Sequence, residues 1–240
     1  MMTVEPSATP PAIRAVAVLE DDLRRGMYAF IRAARRPVTR EEAAGSVGIS
    51  RKLAAFHLDK LVDAGLLRAR YAAIGGIRKV GRAPKVYEPT DIDIAVTIPQ
   101  RQHDLLADIL LDAVLTEGAD ENSHQAAMRV AGHHGEELGA IEREQARPGR
   151  LGTERALTVT EGVLARHGFE PDRQTPTRVR LRNCPFHPLA AKAPDLVCGI
   201  NHAFLTGLLT GLEATTVRAV LAPTTGECCV ELRSAADSPG

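Results

Sequence analysis

The stretch "SRKLAAFHLDKLVDAGLL" at residues 50–67 decides the first part of the fold. Ser50 stands where a helix N-cap would, Ala54, Leu58 and Leu61 recur at helical spacing, and Gly65 supplies a stop. Upstream, "VTREEAAGSVGIS" predicts a short helix capped by Thr39, with Glu42 three residues on as its capping-box partner, and a turn at Gly48. Before it, Leu23, Met27, Phe30 and Ile31 mark a further helix that "RRPVT" ends. Three helices with a tight turn before the last predict a helix-turn-helix.

Downstream, "LLRARYAAIGGIRKVGRAPKVYEP" predicts two short strands around a Gly-rich hairpin. It carries six Lys/Arg and no acid between Leu66 and Tyr87. A basic β-ribbon beside a recognition helix suits duplex DNA, one element in the major groove and the other on the backbone. Ser50, Arg51, Lys52, Ala55, Phe56 and Lys60 fall on the helix side left free by the core, and Arg78, Lys79, Arg82 and Lys85 lie in the hairpin. Arg51 could take a guanine edge and Phe56 a thymine methyl. Alternatively, Phe56 packs on the preceding helix and the cations form a solvated face. Residues 50–67 followed by "GRAPKVYEP" resemble the winged-helix domain of bacterial regulators related to the ArsR and MarR groups, over about residues 15–95.

Charge is divided along the chain. Residues 1–90 hold 16 Lys/Arg and 9 Asp/Glu, whereas the remainder holds 14 and 21. That asymmetry suits a polyanion-binding module joined to one with another task. Trp is absent and aromatics are 3%, which argues against stacking platforms for single strands. No run of eighteen apolar residues and no secretory order at the N-terminus are present, so a cytoplasmic protein with no membrane partner is expected. Residues 1–14 and 234–240 read as tails.

In "PQRQHDLLADILLDAVL", Leu105, Leu106, Ile109, Leu110, Ala113 and Val114 form a stripe too wide for a lone surface helix. Residues 96–118 are therefore expected to pair with a second copy in a homodimer, as a palindromic operator requires, or else to be buried in their own domain. Helices follow at about 121–143 and from "TERALTVTEGVLARHG"; His124, His133 and His134 read as solvated.

Residues 119–233 read as a small α+β domain: a strand "TRVRLRNC", a helix at 195–212, and a hairpin "VRAVLAPTTGECCVELR". The expected fold class is thus α+β, a winged helix-turn-helix followed by a helical dimerisation segment and a small metal-binding α+β domain. All four cysteines, Cys184, Cys198, Cys228 and Cys229, lie in the last quarter. Alternation turns Cys228 inward with Val230 and Leu232, and Cys229 outward with Glu231. Strand end, helix rim and hairpin can converge, so Cys184, Cys198 and Cys228 are the candidate metal ligands, with His187, His202 and Cys229 as possible additions. Soft thiolates suit zinc or iron–sulfur. The competing reading is that the cysteines are small buried hydrophobes.

The order Cys184, Cys198, Cys228 behind such a winged helix is similar to the SufR-type regulators of iron–sulfur cluster assembly operons. That resemblance implies an iron–sulfur cluster of the 4Fe-4S type held by these three cysteines, and repression of DNA when it is present. The spacers here are slightly longer, and Cys229, His187 and His202 are additional. Zinc in place of the cluster, or a small-molecule pocket with incidental cysteines, remains an alternative. No Gly-rich cofactor loop and no nucleophile elbow is found, so no enzyme is expected.

Overall fold

The computed structural model describes residues 11–71, 83–147 and 149–236. The chain forms two compact units that divide between Val96 and Thr97, and its architecture is mixed α+β.

The first unit contains α1 (Pro11–Val18), α2 (Asp22–Ala34), β1 (Val38–Thr39), α3 (Arg40–Ser46), α4 (Arg51–Asp63), β2 (Leu67–Tyr71) and β3 (Lys85–Pro89). Local chemistry sets the helix starts. Asp21 accepts from Arg24 N, Thr39 and Glu42 make a reciprocal capping box, and Ser50 Oγ accepts from Leu53 N at 3.2 Å. Gly48 (φ +69°) turns the chain between α3 and α4 in a conformation that disfavours any side chain. The strands form an antiparallel sheet of order β1-β3-β2, with Tyr71 opposite Lys85. Met27, Ile31, Ala54, Leu58, Leu61, Leu67 and Tyr87 pack at its centre. Residues 11–14, expected in a tail, belong to α1, where the run "PAIRAVAV" can bury Ala15. Arg78, Lys79 and Arg82, expected in the hairpin, lie outside the described residues, as do residues 1–10 and 237–240.

The second unit begins with α5 (His103–Leu115), α6 (Ser123–Ala146) and α7 (Thr153–Arg166). It continues through β4 (Pro171–Thr175), β5 (Arg178–Leu181), α8 (Leu189–Lys192), α9 (Pro194–Gly211), β6 (Val217–Leu221) and β7 (Val230–Ser234). Its sheet is antiparallel in the order β4-β5-β7-β6. The edge strand β4 was not expected, because "PDRQT" has no apolar alternation and opens with a proline, which an edge strand tolerates.

Two helices dominate this core. Gly135 and Gly139 of α6 face Gly207 and Gly211 of α9 so closely that a Cβ at Gly207 would overlap the Gly132 carbonyl, and one at Gly211 the Glu136 carbonyl. Glycine lets the two backbones touch, which fixes α9, the helix that carries Cys198, against the rest of the unit.

Of the two readings of the apolar stripe at 105–114, the packing matches burial in its own unit. Leu106, Ile109 and Ala113 are buried in the unit's own core, and Leu105 and Leu110 pack against it. Only Val114 of that stripe is open, 68% exposed, beside exposed Leu111 and Leu115. Stripe width reports how much surface a helix buries, not against which partner. Among the described residues no helix is long and apolar enough to cross a membrane.

Candidate metal centre and nucleic-acid interface

The four cysteines come from three places. Cys184 lies in the loop after β5, Cys198 in the first turns of α9, and Cys228 with Cys229 immediately before β7. Each place is pinned. Arg101 Nη1 donates to Asn183 Oδ1 at 2.6 Å and to Cys184 O at 2.8 Å, while the Phe186 ring is buried edge-on to Phe169. Cys228 N donates to Leu181 O at 3.0 Å, and Ala222 N to Cys229 O at 2.8 Å, which clamps the vicinal pair between β5 and the hairpin.

The outward placement of Cys229 is a correction. Cys228 is 3% exposed and Cys229 8%, and both sulfurs face Asn201. Alternation holds only inside a strand, and β7 starts at Val230, one residue after the pair. Even the presumed solvent side of β7 is covered. Glu231 is 2% exposed beneath Arg178, Arg180 and Arg233.

The thiols form a series. Cys228 perturbs both Cys184 and Cys229, and Cys229 perturbs Cys198 as well. Hydrogen bonding from Cys228, helped by the Phe186 N–H and opposed by burial, lowers the Cys184 thiol below its ordinary value. Cys229 falls to about 6, chiefly through the Cys228 hydrogen bond, with Cys198, Asn201 and its own N–H adding to it. Burial, then the bond to Cys229, pushes Cys198 up to about 12. The bonds to Cys184 and Cys229, with burial, raise Cys228 well above the usual range. Thiolate character therefore alternates along the series, and loading all four sulfurs onto a metal would require displacement of the remaining protons.

Asn201 is the residue sequence reasoning missed. It is fully buried on α9, its Nδ2 donates to Cys228 Sγ at 3.1 Å and points at Cys229 Sγ at 4.0 Å, and its Oδ1 has no partner. The signal was present, since Asn201 is a polar residue inside the apolar arc of Val197, Ile200, Phe204 and Leu208. A buried amide left half satisfied costs stability unless it serves something else. Neither histidine is brought to the sulfurs. His187 is exposed, and the His202 ring bonds Ala219 O through Nε2 at 3.3 Å. Among the described residues no three His, Cys, Asp or Glu side chains converge on one ion's coordination sphere. The donor set nevertheless fits a thiophilic metal group: four soft sulfurs, a buried setting, and amide N–H groups directed at sulfur.

On the first unit, α4 buries Ala54, His57, Leu58 and Leu61 and turns Arg51, Lys52, Phe56 and Lys60 outward, with Ala55 half-buried beside them. Phe56 is 55% exposed, and the Lys60 ammonium lies 5.8 Å from its ring centre, so the ring does not pack on the preceding helix. Lys52 and Lys60 have no ion-pair partner among the described residues; Arg51 has only Glu41 at 3.9 Å. The hairpin cations differ. Lys85 donates to Asp59 at 2.9 Å, Arg70 makes a two-point contact with Glu88, and Arg68 lies near Glu88 and Asp91. No protein-family model and no curated protein matches the chain, so any functional reading rests on its own residues.

Proposed function

We propose that the protein is a DNA-binding transcriptional regulator, a repressor, whose affinity for its operator is controlled by an iron–sulfur cluster in the second unit. The first unit is then a winged helix-turn-helix, with α3, the Gly48 turn and α4 as the helix pair and the β2–β3 hairpin as the wing. Its cationic α4 face supports that role. The observation that carries the reading is the gathering of the chain's cysteines from three separate segments around the buried Asn201 amide, Cys228 and Cys229 buried and Cys184 and Cys198 half-buried.

Thiols gathered in one region and kept reduced gain little as hydrophobes and invite a metal. When bound, an iron–sulfur group supplies one-electron chemistry and sensitivity to oxidants. The chain's own contribution is to hold Cys184, Cys198 and Cys228 together and to exclude water from the Cys228 side, where that sulfur is buried. By linkage, whatever changes DNA affinity through this centre must have its own stability changed by DNA to the same extent. A homodimer would serve two half-sites. Because the inner part of α5 is buried, the outward Leu111, Val114 and Leu115 are the apolar surface of that helix left for a second copy.

Anaerobic purification followed by assays of iron, sulfide and zinc tests the centre, and titration of a selected duplex at fixed salt tests the coupling. We expect stoichiometric iron and sulfide, and an affinity at least tenfold greater for loaded than for stripped protein, about 1.4 kcal/mol of coupling. Equal affinities would refute the sensor, and zinc without sulfide would replace the cluster with a single-metal site.

A further inference from the structure

The vicinal pair invites the view that one cysteine is a ligand and its neighbour a bystander. Contacts in the cluster argue otherwise. Cys228 N donates to Leu181 O at the end of β5, three residues before Cys184, and Cys198 stands three residues before Asn201, on the same side of α9. The pair is thus held between the segments that carry Cys184 and Cys198, and Cys229, 8% exposed, is buried there with Cys228. The Asn201 amide adds an independent sign, because its N–H is aimed at the sulfurs of both Cys228 and Cys229, which places the two on one side of one buried space. The carboxamide Oδ1 is left without a partner to achieve that aim.

We propose that Cys229 supplies the fourth thiolate, so that Cys184, Cys198, Cys228 and Cys229 hold the centre wholly through protein sulfur. The assignment rests on the reading of this site as a metal centre. Adjacent residues cannot readily direct both sulfurs at one small ion, but two sulfurs can serve separate irons of one cluster. His187 and His202 are then spectators, one exposed and the other committed to Ala219 O. A centre saturated by four protein sulfurs has no open position. It would therefore respond to loss or a change of oxidation state, not to a small molecule binding directly to iron.

The experiment uses the full chain, loaded anaerobically with ferrous iron and sulfide. Wild-type protein is reduced and its electron paramagnetic resonance spectrum recorded with and without excess cyanide. A fully cysteine-held cluster should give the same spectrum in both, and a cyanide-dependent change overturns the assignment without recourse to any variant. Cys229→Ser should lose at least half of the bound iron or become cyanide-responsive, with its fold checked by circular dichroism. His187→Ala and His202→Ala should match wild type in iron content and in indifference to cyanide. Full iron content with an unaltered spectrum in Cys229→Ser, or cyanide sensitivity arising in a histidine variant, would also overturn it. Wild-type protein that takes up neither iron nor zinc refutes the metal-centre reading itself, and the assignment falls with it.

Discussion

Helices α4 and α9 carry the candidate chemistry of the two units, and they use their residues in opposite ways. α4 buries four of its thirteen residues and presents cations and an aromatic ring outward. α9 buries eight of its eighteen, including Asn201, and meets α6 backbone to backbone through glycine. A helix that must reach an outside partner keeps only the core contacts it needs to stay in place. One that must hold several groups at fixed separations is packed until it cannot shift. Tolerance to substitution should follow the same division.

The largest expected effect comes from Gly207→Ala. A methyl group there overlaps the Gly132 carbonyl, so α6 and α9 must separate along their whole crossing. The better helix propensity of alanine returns about 1 kcal/mol, whereas overpacking in a close-packed core costs on the order of 3 kcal/mol or more. Thermal unfolding of the second unit should fall by roughly 5 °C or more. Ala55→Ser on the half-exposed side of α4 should shift melting by no more than about 1 °C. Equal melting of the glycine variant and wild type, followed by differential scanning calorimetry, would remove the rigid crossing from the comparison.

The helix that positions α4 offers a smaller, pH-dependent effect. Arg36, then the Thr39 N–H and hydroxyl, hold Glu42 down from the ordinary 4.5 to about 2. Because the folded value lies below the unfolded one, the charged Glu42 stabilises the fold fully above about pH 4.5, and that contribution is lost as pH falls towards 2. Since Arg36 is half exposed, solvent screening limits the effect to about 1 kcal/mol. Glu42→Gln keeps the capping geometry and lacks the charge, so urea midpoints of wild type and variant should differ at pH 6 and converge near pH 2. A constant difference across that window would assign the stabilisation to shape alone.

How much of this was legible in the residues depended on the range of each signal. The capped starts at Thr39 and Ser50 and the turn at Gly48 stand in the structure, because caps and turns are decided within four residues. Strand β4 was hidden by its lack of apolar residues, and α1 by its place in what reads as a tail. The candidate centre was half legible. That cysteines gather here follows from their confinement to the last quarter, but the facing of Cys229 did not, because alternation was extended to a residue that precedes the first residue of β7, Val230. The partner of α5 was not legible either, since an apolar stripe is the same whether a neighbouring helix or a second chain covers it.

The smallest effects separate the free cations of the first unit from the tied ones. Lys52 and Lys60 stand on α4 without an ion-pair partner among the described residues, whereas Lys85, an expected phosphate contact, is held by Asp59 at 2.9 Å beside the Tyr87 ring. If α4 faces duplex DNA, each free lysine that meets a phosphate contributes about one unit to the slope of log affinity against log salt. Lys52→Ala and Lys60→Ala should each lower that slope by about one and weaken binding to specific and random duplexes alike. Lys85→Ala should leave the slope nearly unchanged, because breaking an exposed pair returns less than about 1 kcal/mol and the lysine must leave Asp59 before it can reach a phosphate. Fluorescence anisotropy with a random duplex over a salt series provides the measurement. A slope loss for Lys85→Ala equal to that for Lys52→Ala would mean that DNA displaces Asp59 on binding, and the division between free and tied cations would not survive in the complex.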